Sequence, residues 1–324
     1  MNIIDALVLK SLKGVGDGSV SKLLDFSKTQ GIETLEDLSS VDAKRLPLRR
    51  VPESLNELLG SGEYEVARLE AEKALHEWGS QNVEVIYRNS DKYPKQLLSL
   101  ESPPPFLFCK GNLSLLADTR AIAVVGTRNN TPRGAAIATK TVEAFHRYRF
   151  VIVSGLAIGV DSIAHRAALD CGAPTVAVVV DLIKISPASN KGLANEILEN
   201  DGLLISENSP GTSTIAALFA KRDRIQSGLS TAVFAIETSK DGGTMHAVKA
   251  AAKMGRPVFV PDAVAAKYND LNIEVIQGTQ YLINKRIARA YTSESYACIS
   301  QELDAISQSF TKALPDLTQE GLPL

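Results

Sequence analysis

Small and basic residues stand together at three places where a ligand could be held. The run Gly126-Thr127-Arg128-Asn129-Asn130-Thr131-Pro132-Arg133-Gly134 follows an apolar segment, and its Thr131-Pro132 pair suits the N-cap and first position of a helix. A helix N-terminus with a hydroxyl and an arginine beside it is suited to phosphate. Ser154-Gly155-Leu156-Ala157-Ile158-Gly159-Val160-Asp161 is a second small-residue run, and Asp241-Gly242-Gly243-Thr244 is a third. Glycine lets a backbone approach a ligand closely, yet it equally permits a tight turn from strand to helix. One such run leaves the two readings balanced; three together favour an anion site. Phe219-Ala220-Lys221-Arg222-Asp223-Arg224-Ile225 adds Lys221 and Arg224 on one helix face with an aromatic ring nearby. Cations that track a backbone, with a ring on which a base can stack, are the parts of a single-strand site, and solvated charge on a helix face is the alternative. Arg120, Arg128, Arg133, Lys140, Arg147 and Arg149 form a further basic group, with Glu143 the main opposing charge.

Catalytic chemistry finds little support. The chain has neither a GxGxxG fingerprint with its acidic partner nor a GxxxxGK[ST] loop, and no nucleophile elbow or HExxH pair. His165, inside Asp-Ser-Ile-Ala-His-Arg, reads as a satisfied structural histidine. His246 follows Thr244 and could face a ligand, the less favoured of its two readings. Cys109, Cys171 and Cys298 are far apart without a CxxC pair, which argues against a disulfide framework or zinc site and suits small buried hydrophobes. No metal, cofactor or catalytic residue is expected. With 35 Lys and Arg against 37 Asp and Glu the formal net charge is -2, so binding to nucleic acid would need a local patch. The first residues, MNIIDALVLKSLKG, lack the pattern of a signal peptide, and no run reaches the roughly 18 apolar residues of a membrane span, so a cytoplasmic protein with no membrane partner is expected.

The elements that would position these residues fall into two textures. Up to about residue 80 the apolar spacing is helical: Leu7, Leu9 and Leu12, then Val20, Leu23 and Leu24, then Leu35 and Leu38, with a longer helix over 64–78. Pro47 and Pro52 break this region and Gly60-Ser61-Gly62 reads as a turn. Beyond it, short strands over 83–87 and 106–109 precede a regular alternation. Apolar runs at 121–125, 150–153, 175–180, 203–205, 232–236 and 257–260 read as strands. Helices are expected over 132–146, 161–170, 190–199, 214–227 and 244–254. Near-continuous apolar strands alternating with helices predict an α/β fold: a doubly wound, mostly parallel Rossmann-like sheet with a small N-terminal all-α domain. The expected divisions are a helical unit over 1–80, a Rossmann-like unit over 81–288, and a helical tail over 289–324. Within that tail, 296–310 could be one helix and 314–324 a frayed end.

These residues resemble the DprA/Smf proteins, a bacterial family of single-stranded-DNA-binding factors that help load the RecA recombinase. The match runs in order from about Tyr93 to Asp262: Tyr93-Pro94, Pro103-Pro104, Val124-Val-Gly-Thr-Arg128, Val153-Ser-Gly-Leu-Ala157, Leu204-Ile-Ser-Glu207, Phe219 with Arg222 and Arg224, and Gly255-Arg256-Pro257. The resemblance implies that Gly126, Thr127, Arg128, Ser154 and Gly155 hold DNA phosphates. It places Phe219, Lys221, Arg222 and Arg224 on the aromatic-basic segment, and Gly243 and Thr244 on the late loop. It also implies a homodimer, with single-stranded DNA and a RecA-type recombinase as partners. The segment Leu12 to Leu24, with its Gly14-Val15-Gly16 turn, looks like a helix-hairpin-helix, though such a turn can also simply join two helices. Departures from the family pattern are Asp223 between the two arginines, the loop Asp241-Gly-Gly-Thr-Met-His246, and Asp181-Leu-Ile-Lys-Ile-Ser186-Pro187, which lacks the family's glycine pair. They allow a specialised branch serving defence or a mobile element. The alternative function is a nucleotide-ligand sensor on the same scaffold. A nucleotide phosphoribohydrolase is disfavoured, because Asp241-Gly-Gly-Thr-Met-His-Ala lacks the catalytic glutamate of that group's motif.

Overall fold

The structure is a computed structural model and describes residues 1–61 and 63–311. The helical front forms five helices: α1 (Ile3–Ser11), α2 (Asp17–Gln30), α3 (Leu35–Ser39), α4 (Glu53–Ser61) and α5 (Tyr64–Ser80). Gly60 and Ser61, expected as part of a turn, instead continue α4, because Leu55 and Leu58 anchor its apolar face in the core. Gly62 lies outside the described residues.

The sheet then begins with β1 (Glu84–Tyr87) and β2 (Phe106–Gly111). It continues with β3 (Ala121–Val125), β4 (Val151–Ser154), β5 (Thr175–Val178), β6 (Leu203–Ser206), β7 (Ala232–Ala235) and β8 (Val258–Pro261). Every residue of these last six strands is buried, as parallel strands covered on both faces must be. β9 (Arg289–Tyr291) closes the row. Among the described residues the nine strands are ordered β1-β2-β6-β5-β4-β3-β7-β8-β9; β2 pairs antiparallel with both β1 and β6, and the ladders from β6 to β9 are parallel.

The remaining helices are α6 (Pro132–Arg147), α7 (Val160–Cys171), α8 (Lys191–Glu199), α9 (Ala216–Leu229), α10 (Thr244–Lys253), α11 (Glu274–Asn284) and α12 (Tyr296–Thr311). Alternation along each strand splits the core in two. Ile122, Val124, Ile152 and Phe234 face α6, α7 and α12, whereas Ala121, Ala123, Val125, Val151 and Val153 face the opposite layer with α9 and α10. The front helices pack into the first layer: their Leu23, Leu24, Leu35 and Leu55 share one cluster with Phe106 and Phe108 of β2, and Trp78 meets Phe108 edge-on at 5.1 Å.

Two elements were not foreseen. α11 and β9 lie where no strong period shows; β9 is three residues long and only Tyr291 is buried. Phe259 to Pro261 pair with Arg289 to Tyr291, so the sheet runs past the division expected at 288. The helix expected over 296–310 is present as α12, with Ile299 and Leu303 in the core. The expected frayed end at 314–324 lies outside the described residues. Of the three cysteines only Cys109 is buried; Cys298 is exposed, contrary to the expectation for all three. No helix among the described residues is long and apolar enough to cross a membrane.

Candidate functional site

From β3 the chain steps outward through β4, β5 and β6, then returns to lay β7 on the other side of β3. The order reverses there, and the loops leaving the carboxyl ends of β3 and β7 diverge and open a crevice. A cleft of about 690 Å³ occupies this point. Its walls come from the turn Gly126–Arg128 after β3, Ile158 and Asp161 after β4, Phe219, Arg222, Asp223 and Gln226 of α9, and the segments around Thr238 and Gly243-Thr244 after β7.

The turn after β3 is held from two sides. Thr127 N–H donates to Glu237 O at 2.8 Å, and Val160 N–H donates to Thr127 O at 3.2 Å. Gly159 has φ +88° and lies so close that a Cβ there would overlap the Thr127 carbonyl, so this position needs glycine for both backbone and space. A Cβ on Gly126 would meet the Val160 side chain, so that glycine serves packing, whatever else approaches it. Arg128 emerges exposed from the braced turn, and its guanidinium lies 5.8 Å from the centre of the Phe219 ring. A cation and a ring thus meet at the mouth of the cleft.

The floor is acidic and buried. Arg222 is 4% exposed; its Nη1 donates to Val178 O at 2.6 Å and its Nε stands 3.4 Å from Asp223. Asp161 accepts from Gly155 N–H at 3.1 Å, and Asp223 accepts from Gln226 Nε2 at 3.0 Å. Burial pushes both carboxyls up to about 6, ahead of the opposing pull of Arg222.

Of the residues expected at the site, Gly126, Thr127, Arg128, Phe219, Arg222, Gly243 and Thr244 line this one cleft, while Ser154, Gly155, Lys221 and Arg224 do not. Ser154 is fully buried and its hydroxyl donates to Val124 O at 2.7 Å. Gly155 is buried where a Cβ would overlap the Arg222 guanidinium. Arg222 ties α9 to the end of β5 rather than reaching outward. Lys221 bridges Asp17 (2.8 Å) and Glu207 (3.2 Å), and Arg224 pairs with Glu207 and donates to Ser102 O at 2.7 Å. Burial works against the charge on Lys221, but Glu207 and Asp17 outweigh it and raise its pKa. Both cations are thus neutralised by acids that sequence spacing did not bring near them.

At the N-terminus of α6, expected to suit a phosphate, a carboxylate of the chain itself is found. The Glu237 carboxylate accepts from Thr131 N–H at 2.8 Å and from the Thr131 hydroxyl at 2.6 Å, so this helix end already holds an anion. The basic group of six also disperses. Arg128 and Arg133 lie toward the carboxyl end of β3, but Arg147 and Arg149 lie at the far end of α6 and Arg120 pairs with Asp304 at 2.9 Å. His165 is fully buried, its Nδ1 lies 2.8 Å from Thr175 Oγ1, and burial drives its pKa down to about 3, consistent with a structural role. His246 is exposed and lines the cleft, the less favoured of its two readings. Ile158, Ser186, Pro187, Gln226, Thr238 and Ser239 were not singled out as site residues; their only sequence signal is position just past a strand or along α9.

Sheet order and cleft together define a protein of the Rossmann-like class with a cation at the mouth of its switch-point cleft. The family model described as DNA recombination-mediator protein A matches residues 84–302. The chain is 34% identical over 207 residues to the DNA processing protein DprA of Bacillus subtilis, covering 63% of this chain and 69% of that one. It is 37% identical over 182 residues to the DprA of Streptococcus pneumoniae, covering 56% and 64%. The alignments thus span about two thirds of the curated relatives' length. The crystal structure of DprA from Streptococcus pneumoniae superposes with a TM-score of 0.77 at 28% identity, covering 92% of this chain and 98% of the other. A structure of DNA processing protein A from Helicobacter pylori, described for its single-stranded DNA binding mode, superposes at 0.58 with 27% identity, covering 70% and 96%. The chain belongs to the DprA/Smf family of DNA-processing proteins.

Proposed function

We propose that this protein binds single-stranded DNA in the cleft between β3 and β7 and acts as a recombination mediator that delivers the strand to a RecA-type recombinase. The observation that carries the reading is the pairing of Arg128 with Phe219 at the cleft mouth: an exposed guanidinium to meet a phosphate beside a ring on which a base can stack. Gly126, Thr127, Gly243 and Thr244 line the same space and supply backbone and hydroxyl groups. The single-strand binding mode described for the Helicobacter pylori relative supports the choice of ligand. Ser154, Gly155, Arg222, Lys221 and Arg224 position the cleft in this reading and make no direct contact. Two units, the front helices and the sheet body, act together through the Lys221–Asp17 pair.

The test is anisotropy of a labelled single strand titrated at two salt concentrations with duplex as competitor. Binding that weakens with salt, resists duplex, and drops about tenfold in Arg128→Ala is expected, since a charge-assisted contact is lost. Unchanged affinity in that variant would remove Arg128 from the site. A folded sample that ignores the strand but binds a mononucleotide would favour the ligand-sensor reading.

A further inference from the structure

The two banks of the cleft differ in charge, and this sets a direction. One bank comprises the loops after β4, β5 and β6 together with the start of α9. Its acids are turned inward. Asp181 is 1% exposed and accepts from Gly211 N–H at 3.0 Å, and Glu207 is 5% exposed and pairs with Lys221 and Arg224. To solvent this bank presents Lys184 and Lys191 and three exposed isoleucines, Ile158 (51%), Ile183 (42%) and Ile215 (58%). The loops are tied to one another: Asn190 Nδ2 donates to Leu156 O at 2.9 Å and Asn208 Nδ2 donates to Val180 O at 3.0 Å. The bank is continuous with the cleft, because Ile158, Ser186, Pro187 and Ala216 line it. The opposite bank, from the loops after β7 and β8 into α11, also exposes aliphatic side chains, Val264 and Leu271, but it carries Asp241, Asp262, Asp270 and Glu274 against Lys240 and Lys267.

Resting on the single-strand reading above, we infer that the strand leaves the cleft across the loops after β4, β5 and β6. There Lys184 meets a phosphate, and Ile158 and Ile215 lie against sugars and bases. A polyanion is repelled from the acidic bank and attracted to the one whose only surface charges are positive. Charge chooses the bank; the exposed isoleucines on it, Ile158 beside the cleft and Ile215 at the start of α9, then offer aliphatic surface to sugars and unstacked bases.

The test uses the full chain and a labelled oligothymidine of about 16 nucleotides, long enough to pass beyond the cleft. Lys184→Gln and Lys267→Gln remove the same charge from the two banks. Lys184→Gln is expected to weaken binding about threefold and to lower the log–log salt slope by about 0.7, the value of one single-strand phosphate contact. Lys267→Gln should change neither. Ile215→Ser should weaken binding about threefold as well. Ile215 is the N-cap of α9 and has no side-chain cap bond, so serine there supports the helix and the loss cannot be charged to unfolding. If Lys184→Gln and Ile215→Ser bind as wild type, or if Lys267→Gln takes the slope change instead, the path is overturned while the cleft stands. If the wild-type chain does not bind the strand, the cleft reading falls and takes the path with it.

Discussion

The turn after β3 and the turn after β4 read alike: each is a short run of glycine, hydroxyl residue and small side chains between a buried strand and a helix. In the folded chain they do different work. The first is braced at its backbone and sends Arg128 outward to Phe219. The second is sealed, with Ser154 bonded to the neighbouring strand and Gly155 pressed against Arg222 and Asp161. Small residues at a strand end thus answer two demands, room for a ligand and room for a neighbouring side chain. Which demand applies depends on what the fold brings over the glycine. Over Gly126 it is Val160, with the ligand space beside it; over Gly155 it is a buried ion cluster.

The sharpest way to break this contrast is Arg222→Ala. Removing the buried guanidinium from beside Asp161 and Asp223 should cost about 3–5 kcal/mol of stability, read as a shift in urea midpoint. A loss of binding with no loss of stability would instead make Arg222 a direct contact. Gly155→Ala comes next: its methyl overlaps Arg222, and overpacking of this kind costs about 1–3 kcal/mol. Near-wild-type stability would mean that the second turn has slack.

The ion cluster also predicts a pH dependence. Burial raises the Asp161 carboxyl to about 6 in the folded chain, above its unfolded value near 4, so between those limits the folded state binds more protons. Its stabilising contribution is full below about pH 4 and is lost as pH rises through about 6. Asp161→Asn, still able to accept from Gly155 N–H, removes this term. Relative to the variant, wild type should therefore lose on the order of 3 kcal/mol between about pH 4 and pH 7. A pH-independent difference in urea midpoints would place the aspartate ionised in the fold.

The smallest effects sharpen the contrast from its other side. Ser154→Ala should cost about 1 kcal/mol through the lost bond to Val124 O, leaving single-strand affinity unchanged. Arg128→Ala should change stability by less than about 0.5 kcal/mol and act on affinity alone. Equal effects of the two on binding would erase the distinction between the turns.

Much of the body was legible because its strands are buried on both faces and its helices have clear ends. Ala121–Val125 is as expected, and Thr131 caps α6 with Pro132 in its first turn. β9 and α11 escaped because short, half-exposed elements leave no period, and their place is set by β8 and β7 beside them. At the site, the residues bound for one cleft were named largely by their position after strands, but exposure could not be read. Lys221, Arg222 and Arg224 looked like three free cations, and all three are committed to Asp17, Glu207, Asp223 or backbone oxygens.

By itself the sequence determined the α/β class, most element positions, the strand ends where a ligand would sit and the family resemblance, since local periodicity and spacing are properties of the chain. Only the tertiary structure decided which charges remain free. A side chain's partner is chosen by which strands lie side by side, as the meeting of Asp17 with Lys221, 204 positions apart, makes plain.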